Sequence, residues 1–419
     1  MPRPHPSRHR LALAVTAVLT VAVSTLTAVP AAAAPGPEAT STATPAALEV
    51  VKESVPQRAD FRTTSGNVDF VWEFTTTQVV KVRVELTHTA SGKKETLSGA
   101  TDGRVALRWY GFFEDFTAAS NGAYTWRMTA TPVDGVTPPV ERTGALTVDS
   151  GQAPHGFSDT GSPDILVRGD GILYTFDSRK ALEFNHTGAA SARSAGPGWD
   201  AYDRIVAPGN VGGDRFSDLV ARDTSGTLWI HPGTGAATSP FAERVRVGGG
   251  WQVYNDVTGQ GDLDGDGRPD LVAADKAGDL WLYKGTGNTA APFAPRRKTG
   301  HGWNIYNKLV ATGNIGGNPT ADLVARDTAG VLWLYLGKGD GTFAARTRIG
   351  GGWNTFNEIV GVGDVDRDGR PDLLANGHTG NVDSKISVYR GTGNWKTPFE
   401  KRALINTILG VPGWLTQLF

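Results

Sequence analysis

The stretch Asp262-Leu263-Asp264-Gly265-Asp266-Gly267-Arg268-Pro269-Asp270 decides the fold, and it returns in altered form as Asp364-Val365-Asp366-Arg367-Asp368-Gly369-Arg370-Pro371-Asp372. Each stretch ends in an aspartate that precedes a run of apolar residues. The same aspartate recurs at intervals of 54, 52, 52 and 50 residues, as Asp164, Asp218, Asp270, Asp322 and Asp372. A nearly constant interval of this size indicates a repeat protein, in which each copy is one supersecondary unit.

Two further markers follow the aspartate in every copy. The first is an aromatic strand, clearest at residues 228–231, 280–283 and 332–335 and weaker at 173–174 and 388–389. The second is a tryptophan preceded by glycine, found as Trp199, Trp251, Trp303, Trp353 and Trp414. Each copy divides into four short strands, and no window has a sustained helical period. We predict an all-β fold with a five-bladed β-propeller over residues 152–419.

The two ends of the repeat region predict how the ring closes. The first copy lacks the strand before its aspartate, because residues 152–158 are polar and interrupted by proline and glycine. The last copy ends with residues 415–419, which align with residues 354–358 of the copy before. We expect this C-terminal strand to complete the first blade and to remove an open sheet edge.

The N-terminal region differs from the repeats in composition. Residues 1–34 combine three arginines, an apolar run and a cluster of alanines, which is typical of a cleaved export signal, with a retained signal anchor as the alternative. Residues 35–48 are small, polar and proline-rich and predict a flexible linker. We expect a secreted, extracellular monomer that is not an integral membrane protein after cleavage.

Charge and cysteine content exclude some functions. The formal net charge is −1, and the predicted signal holds three of the arginines and no acid, so the remainder is more acidic still. This balance argues against nucleic acid as a partner. The chain has no cysteine, so disulfides and thiol chemistry contribute nothing.

Residues 49–150 alternate between strands and turns and predict a small β-sandwich. The predicted strands are Val68–Phe74, Val79–His88, Val105–Trp109, Tyr124–Thr131 and Arg142–Val148. Within residues 92–131, Trp109-Tyr110-Gly111 is followed by Asn121-Gly122-Ala123-Tyr124-Thr125-Trp126. This segment resembles the immunoglobulin-like domain of flagellar hook-capping proteins, which implies a structural or spacing role.

The aspartate-rich stretches are candidate metal sites. Carboxylates at positions 1, 3, 5 and 9 and the carbonyl of position 7 can surround one hard cation, while glycine at position 6 permits a sharp turn. Oxygen donors of this density favour calcium over zinc. We predict two Ca²⁺ sites, formed by Asp262, Asp264, Asp266, Arg268 and Asp270 and by Asp364, Asp366, Asp368, Arg370 and Asp372.

This pattern resembles the calcium loops of FG-GAP or VCBS repeats, which occur in the integrin α-subunit propeller and in many secreted bacterial proteins. The resemblance covers residues 154–419 and implies a propeller fold, bound calcium and a role in adhesion or carbohydrate recognition. In blade number and tryptophan-rich repeats, the chain also resembles five-bladed lectin propellers.

The other copies depart from this pattern. Copy two offers Asn210, Gly212, Asp214 and Asp218, and copy four offers Asn314, Gly316, Asn318 and Asp322. Glycine at position 3 removes a ligand, so we expect weaker binding in these copies and none in copy one. The alternative is that the aspartates are turn residues that accept hydrogen bonds from backbone amides. For position 9, which occurs in every copy, this alternative holds at least in part.

Three other features have competing interpretations. Trp199, Trp251, Trp303 and Trp353 are candidate ligand-binding residues that could stack on sugars, although their recurrence in successive blades favours packing. Arg168-Gly169-Asp170 spells the tripeptide that integrins bind, but copies two and four have Arg222-Asp223 and Arg326-Asp327 at the same turn, which favours a shortened repeat. The chain has no common catalytic motif, and the six histidines outside the signal do not recur in register.

We therefore predict a non-catalytic extracellular recognition module for a carbohydrate or a cell-surface protein. Two alternatives stay open. One is a scaffold or accessory subunit without a ligand of its own. The other is a hydrolase whose carboxylate pair lies in the mouth of the ring, because such pairs have no fixed sequence spacing.

Overall fold

The computed structural model describes residues 47–63, 66–76, 78–179, 192–236, 239–377, 386–405 and 415–419. The predicted export signal, most of the predicted linker and Trp414 lie outside these residues. Within the described ranges, no helix has both the length and the apolar character needed to cross a lipid bilayer.

The N-terminal part of the described chain contains eight strands in two sheets. The strands are β1 (Glu49–Ser54), β2 (Arg58–Ala59), β3 (Val68–Thr75), β4 (Val80–His88), β5 (Lys94–Thr101), β6 (Arg104–Trp109), β7 (Gly122–Pro132) and β8 (Val140–Val148). One sheet has the order β1-β3-β6 and the other β2-β8-β7-β4-β5. The five strands predicted here are confirmed. The structure adds β1, β2 and β5, which are too short or too exposed to show a buried alternation.

The two sheets enclose one apolar core because buried and exposed residues alternate along their strands. In β4, Val82, Val84 and Leu86 are buried while the residues between them are more exposed. Trp72 and Trp126 meet in the core with ring centroids 5.7 Å apart. Residues 49–148 therefore form a β-sandwich.

The repeats form five antiparallel sheets of four strands each within the described residues. Sheet 1 contains β9 (Asp164–Gly169), β10 (Ile172–Asp177), β11 (Arg193–Pro197) and β28 (Leu415–Leu418). Sheet 2 contains β12 (Tyr202–Gly209), β13 (Asp218–Asp223), β14 (Leu228–His231) and β15 (Val245–Gly248), and sheet 3 contains β16 (Tyr254–Thr258), β17 (Leu271–Asp275), β18 (Leu280–Tyr283) and β19 (Arg297–Gly300). Sheet 4 contains β20 (Tyr306–Gly313), β21 (Asp322–Asp327), β22 (Leu332–Tyr335) and β23 (Thr347–Gly350), and sheet 5 contains β24 (Glu358–Gly363), β25 (Asp372–Asn376), β26 (Ile386–Tyr389) and β27 (Ala403–Ile405).

Each of these sheets packs against the sheets before and after it. The apolar residues of the second strands, such as Leu219, Val220 and Ala221, are buried on both faces of the sheet. Clusters of buried apolar side chains join sheet 1 to 2, 2 to 3, 3 to 4, 4 to 5 and 5 to 1. The five sheets thus succeed one another in a cycle, and the apolar runs of the sequence reflect burial on two sides.

The C-terminal strand completes sheet 1, as predicted. β28 pairs antiparallel with β9, and Gln417 lies opposite Arg168. The predicted alignment of this strand is wrong by two residues, because in sheet 5 the residue at the corresponding place is Glu358, opposite Asn376. Gln417, and not Phe419, therefore corresponds to Glu358, and the segment after the last Gly-Trp pair is shorter than in the other copies.

The Gly-Trp pairs start a short 3-10 helix before the first strand of sheets 2 to 5. These helices are Trp199–Ala201, Trp251–Val253, Trp303–Ile305 and Trp353–Thr355. The preceding glycines have φ values of 96°, 89°, 87° and 86°, a left-handed conformation that glycine adopts without strain. The backbone N–H of Trp303 donates to the carbonyl of Gly278 in the preceding sheet at 2.9 Å, so each corner ties two sheets together.

An arginine at the end of the second strand holds the next corner in three sheets. Arg222 of sheet 2 donates to the carbonyls of Trp251 and Tyr254 at 3.0 and 2.9 Å. Arg326 of sheet 4 and Arg168 of sheet 1 bind the corresponding carbonyls of sheets 5 and 2. The Arg168-Gly169-Asp170 sequence forms the predicted hairpin turn, and its arginine is engaged in this internal contact, which supports the shortened-repeat interpretation.

Arginines also connect the sandwich to the repeats. Arg179 donates to the carbonyls of Tyr110 and Gly111 at 3.0 and 3.3 Å, and its guanidinium lies 4.6 Å from the ring centroid of Phe112. Arg179 is itself buried. The sandwich is therefore packed against the repeat region by a buried, charge-assisted contact.

Candidate metal centres

The two aspartate-rich stretches form equivalent loops between the first and second strands of sheets 3 and 5. We call residues 262–270 loop 3 and residues 364–372 loop 5. Their counterparts in sheets 2 and 4 are loop 2 (residues 210–218) and loop 4 (residues 314–322). Because the strand register aligns Leu271 with Tyr283, loop 3 lies beside the end of the third strand of its sheet.

The first aspartate of loop 3 organises the turn. Its Oδ1 accepts hydrogen bonds from the backbone N–H groups of Asp264 (3.1 Å), Gly265 (2.6 Å) and Asp266 (3.2 Å). The Oδ2 of Asp262 accepts another from Gly267 at 2.7 Å. Gly265 and Gly267 both have φ of 85°. The backbone thus wraps around one carboxylate, which is the geometry that loop-type calcium sites require.

Loop 5 has a similar arrangement and differs from loop 3 in sequence at positions 2 and 4. Asp364 accepts hydrogen bonds from the N–H groups of Asp368 (3.0 Å) and Gly369 (2.8 Å). At position 4, where loop 3 has glycine, Arg367 has φ of 64°. Its guanidinium donates to the carbonyls of Phe61 and Thr63 in the sandwich, both at 3.0 Å. Contact with the sandwich therefore helps to hold a backbone conformation that a residue other than glycine rarely adopts.

Three carboxylates converge in each loop. Oxygens of Asp262, Asp264 and Asp270 lie within 4.8 Å of one another, and so do those of Asp364, Asp366 and Asp372. Like charges at this distance repel unless a cation or protons compensate them. An all-oxygen donor set of carboxylates suits a hard divalent cation such as calcium. The residues at positions 1, 3 and 9 therefore fit the predicted ion.

The fifth residue of each loop does not join these clusters. Asp266 accepts a hydrogen bond from the N–H of Arg268 at 2.9 Å and lies 3.6 Å from its guanidinium. Asp368 accepts hydrogen bonds from the backbone and the guanidinium of Arg370 at 2.9 and 3.1 Å. Ligation by Asp266 and Asp368, and by the carbonyls of Arg268 and Arg370, stays a prediction.

The ninth residue has a structural task in all five sheets. Asp270 accepts hydrogen bonds from the N–H groups of Leu263 (3.0 Å) and Gly285 (2.9 Å), and its four counterparts also bind backbone amides. This confirms the turn-forming role expected at position 9. Burial raises the pKa of Asp270 and Asp372 to about 7 and that of Asp218 to about 6. A nearby cation favours the ionised form of a carboxylate. A metal would therefore change the protonation of the ninth residue most in loops 3 and 5.

Loop 4 is closed by hydrogen bonds and apolar contact instead. The amide of Asn318 donates to the carbonyl of Gly337 at 3.0 Å. A Cβ atom added to Gly316 at position 3 would lie 2.3 Å from the side chain of Leu336. Position 6 is Pro319, which has no N–H to donate to the first residue of the loop. Loop 4 therefore lacks the position-6 donor of loop 3 and the space for a side chain at position 3.

Two basic residues that sequence reasoning missed contact the carboxylate clusters. Lys284 forms an ion pair with Asp264, and the Nε of Arg390 lies 2.7 Å from the Oδ2 of Asp366. Each directly follows the aromatic strand of its sheet, where sheets 2 and 4 have a proline and Leu336. An alignment of the copies extended by one residue beyond that strand shows this pattern.

The four candidate ligand-binding tryptophans are packed between sheets. Trp199, Trp251, Trp303 and Trp353 are 4%, 6%, 7% and 7% exposed. Their ring centroids lie 4.4–4.7 Å from those of His231, Tyr283, Tyr335 and Tyr389. Rings this covered have no open face for a sugar, so their burial supports the packing alternative.

A cavity of about 410 Å³ opens beside loop 3. Its polar lining comes from sheets 2 and 3 and from the segment after the sandwich, and comprises Gln152, Asn210, Arg215, Ser217, Asp262 and Arg268. The wall therefore offers hydrogen-bond donors, acceptors and charges of both signs. Because Asp262 belongs to the loop 3 cluster, a cation in that loop would lie close to a ligand in the cavity.

A match to a known repeat family supports the repeat assignment. The profile of the FG-GAP-like repeat matches residues 262–325 and 315–375, which span loops 3, 4 and 5. No curated protein matches the chain. The chain is similar to the lectin BP39L from Burkholderia pseudomallei, with 13% identity over 82% of this chain and 98% of that one and a TM-score of 0.33. It is also similar to AofleA from Arthrobotrys oligospora, with 10% identity over 84% and 95% of the two chains and a TM-score of 0.32.

Proposed function

We propose that the chain is an exported, calcium-binding β-propeller of five blades, in which each of the five sheets is one blade. Residues 1–34 are the signal, residues 35–48 the linker, residues 49–150 an immunoglobulin-like sandwich and residues 152–419 the propeller. The cyclic sharing of cores between sheets and the pairing of β28 with β9 support the ring. The three- and five-stranded sheets of the N-terminal region support the sandwich.

One observation carries the calcium proposal. Loops 3 and 5 each bring three carboxylates to within 4.8 Å, and loops 2 and 4 lack the position-3 aspartate. The first carboxylate of loop 3 is already held in place by four backbone N–H groups. Little ordering is then needed when the ion binds.

We further propose that this propeller is a non-catalytic extracellular recognition module for a carbohydrate or a cell-surface protein. The cavity beside loop 3 supports this, because concave sites with a few convergent polar groups are where ligands usually bind. Arg268 lines the cavity from within loop 3. A calcium ion in loop 3 would fix the backbone that carries this side chain.

A binding screen tests the recognition proposal. The full chain is applied to a glycan array and to a panel of extracellular proteins, in calcium and in chelator. We expect a ligand that is bound in calcium and at least tenfold more weakly by the Arg268→Ala variant, since a central arginine commonly contributes more than about 1.4 kcal/mol. The matched control is Arg370→Ala, at the same position of loop 5 and outside the cavity lining.

Three results would contradict this proposal. Equal binding by both arginine variants would place the ligand elsewhere. Failure on both panels, together with a constantly co-purifying protein, would favour a scaffold or accessory subunit. Turnover of glycoside or ester substrates that is lost on mutation of a cavity carboxylate would favour a hydrolase.

A further inference from the structure

We propose that Lys284 and Arg390 are built-in counter-cations. Each neutralises the position-3 aspartate of its loop when calcium is absent and is displaced when calcium binds, so that the two residues set the calcium affinity. This inference rests on the proposed calcium binding and names chain residues that regulate it.

The repeats vary together at the two positions concerned. Where position 3 is aspartate, in loops 3 and 5, the residue after the third strand is basic. Where position 3 is glycine, in loops 2 and 4, that residue is Pro232 or Leu336. In loop 4, the side chain of Leu336 occupies the place that a position-3 side chain would take. The basic residue is thus paired with the aspartate and is not a general feature of the repeat.

The geometry allows the basic side chain to leave. The carboxylate of Asp264 is 2% exposed, whereas the side chain of Lys284 is 45% exposed. In loop 5, the corresponding values are 20% for Asp366 and 42% for Arg390. Each cation therefore reaches a more enclosed carboxylate from the solvent side, and a long side chain can rotate back into water.

Charge then determines the effect on metal binding. Without a metal, one positive charge beside three converging carboxylates reduces their mutual repulsion, so the empty loop is stabilised. With a metal, the same positive charge competes for Asp264 or Asp366 and repels the ion. Calcium affinity in such loops follows the net charge of the ligands. Removal of the basic residue should therefore tighten calcium binding and destabilise the calcium-free protein.

The experiment compares Lys284→Met, Arg390→Met and the double variant with the wild-type full chain. Methionine keeps an unbranched chain and removes the charge together with its N–H donors. Calcium affinity is measured by isothermal titration, and the melting temperature is measured in chelator and in saturating calcium. Lys276→Met is the matched control, because Lys276 is exposed at the opposite end of the same sheet. Lys284→Arg retains the charge and should bind calcium as the wild type does.

We expect each single variant to bind calcium at its own site roughly tenfold more tightly. Its melting temperature should fall in chelator and recover in calcium, while the control variant matches the wild type in both. If the wild type binds calcium and the methionine variants bind it with the same affinity, the counter-cation proposal is overturned and the calcium-binding proposal stands. An equal fall in melting temperature with and without calcium would also overturn it. Absence of calcium binding in the wild type and in all variants would overturn both proposals.

Discussion

Sheets 3 and 5 differ from sheets 2 and 4 at both ends of the second strand, although all four have the same strands and the same buried aspartate. At the start of the second strand, sheets 3 and 5 carry the three-carboxylate loops and a basic partner. At the end of the second strand, sheets 2 and 4 carry Arg222 and Arg326, which hold the next corner. At the same position, sheets 3 and 5 have Ala274 and Asn376. Sheet 1 lacks an aspartate-rich loop and has Arg168. An arginine contact is thus present in the sheets that lack a candidate metal loop.

The largest expected effect comes from removing both candidate metal loops. A site occupied at a free calcium concentration 100-fold above its dissociation constant stabilises the fold by about 2.7 kcal/mol, so two sites contribute about 5 kcal/mol. The Asp264→Ala, Asp366→Ala double variant should lose this calcium-dependent gain in the free energy of unfolding. Urea unfolding of the full chain, followed by tryptophan fluorescence in calcium and in chelator, measures it.

The control for this prediction is Asn314→Ala with Asn318→Ala in loop 4. These changes remove hydrogen bonds and should lower stability equally in calcium and in chelator. A wild-type protein whose unfolding midpoint does not respond to chelator would contradict the metal interpretation of loops 3 and 5.

A second prediction separates the structural role of position 9 from its metal role. Asp322→Ala in loop 4 leaves the N–H groups of Ile315, Gly316 and Gly337 without their acceptor. We expect a loss of about 3–4 kcal/mol that is the same in calcium and in chelator. Asp270→Ala in loop 3 should lose more in calcium than in chelator. Equal calcium dependence of the two variants would remove the distinction between the loops.

Much of this comparison could be predicted from sequence because it is local. The repeat interval, the closing strand and the contrast between aspartate at 264 and glycine at 316 are all visible along the chain. The ion pair of Lys284 with Asp264 is not visible along the chain, because it depends on the register that sets Leu271 opposite Tyr283. Asp266 has the spacing of a ligand but binds the backbone of its own loop.

The C-terminal strand and the tryptophans show the same limit. The Gly-Trp pattern is visible in the sequence, whereas the burial of the ring against the third strand is a tertiary property. The two-residue error in aligning residues 415–419 arose because the pairing of Gln417 with Arg168, and not distance from Trp414, fixes the register.

A third prediction tests the arginine contacts of sheets 2 and 4. Arg326 is 9% exposed and donates to the carbonyls of Trp353 and Phe356 and to Asn307. Arg326→Ala removes these hydrogen bonds, although the Trp353 carbonyl keeps the N–H of Phe356 at 3.1 Å, and we expect a loss of about 2–3 kcal/mol in urea unfolding. The loss should be the same in calcium and in chelator. A loss of stability that appears only in calcium would contradict the division between sheets with an arginine contact and sheets with a candidate metal loop.

The smallest effect concerns pH and distinguishes sheet 2 from sheets 3 to 5. Burial lowers the pKa of His231 to about 4, whereas the other sheets have tyrosine at this position. A base with a depressed pKa contributes stability that is present above its unfolded value of about 6.5 and is lost as pH falls towards 4. At pH 5 we expect about 2 kcal/mol to be lost.

The His231→Tyr variant should lose less stability than the wild type between pH 7 and pH 5, and urea midpoints across this range measure the difference. His155, which is also buried with a pKa of about 4, keeps part of the pH dependence in both proteins. Parallel pH profiles for the two proteins would show that His231 does not titrate as its burial requires.

The stoichiometry of calcium binding tests the central claim most directly. Equilibrium dialysis of the full chain against calcium should give two ions per chain for the wild type. It should give one for Asp264→Ala and none for Asp264→Ala combined with Asp366→Ala, because loops 2 and 4 lack the position-3 aspartate. Four ions per chain, or none, in the wild type would contradict the division between sheets 3 and 5 and sheets 2 and 4.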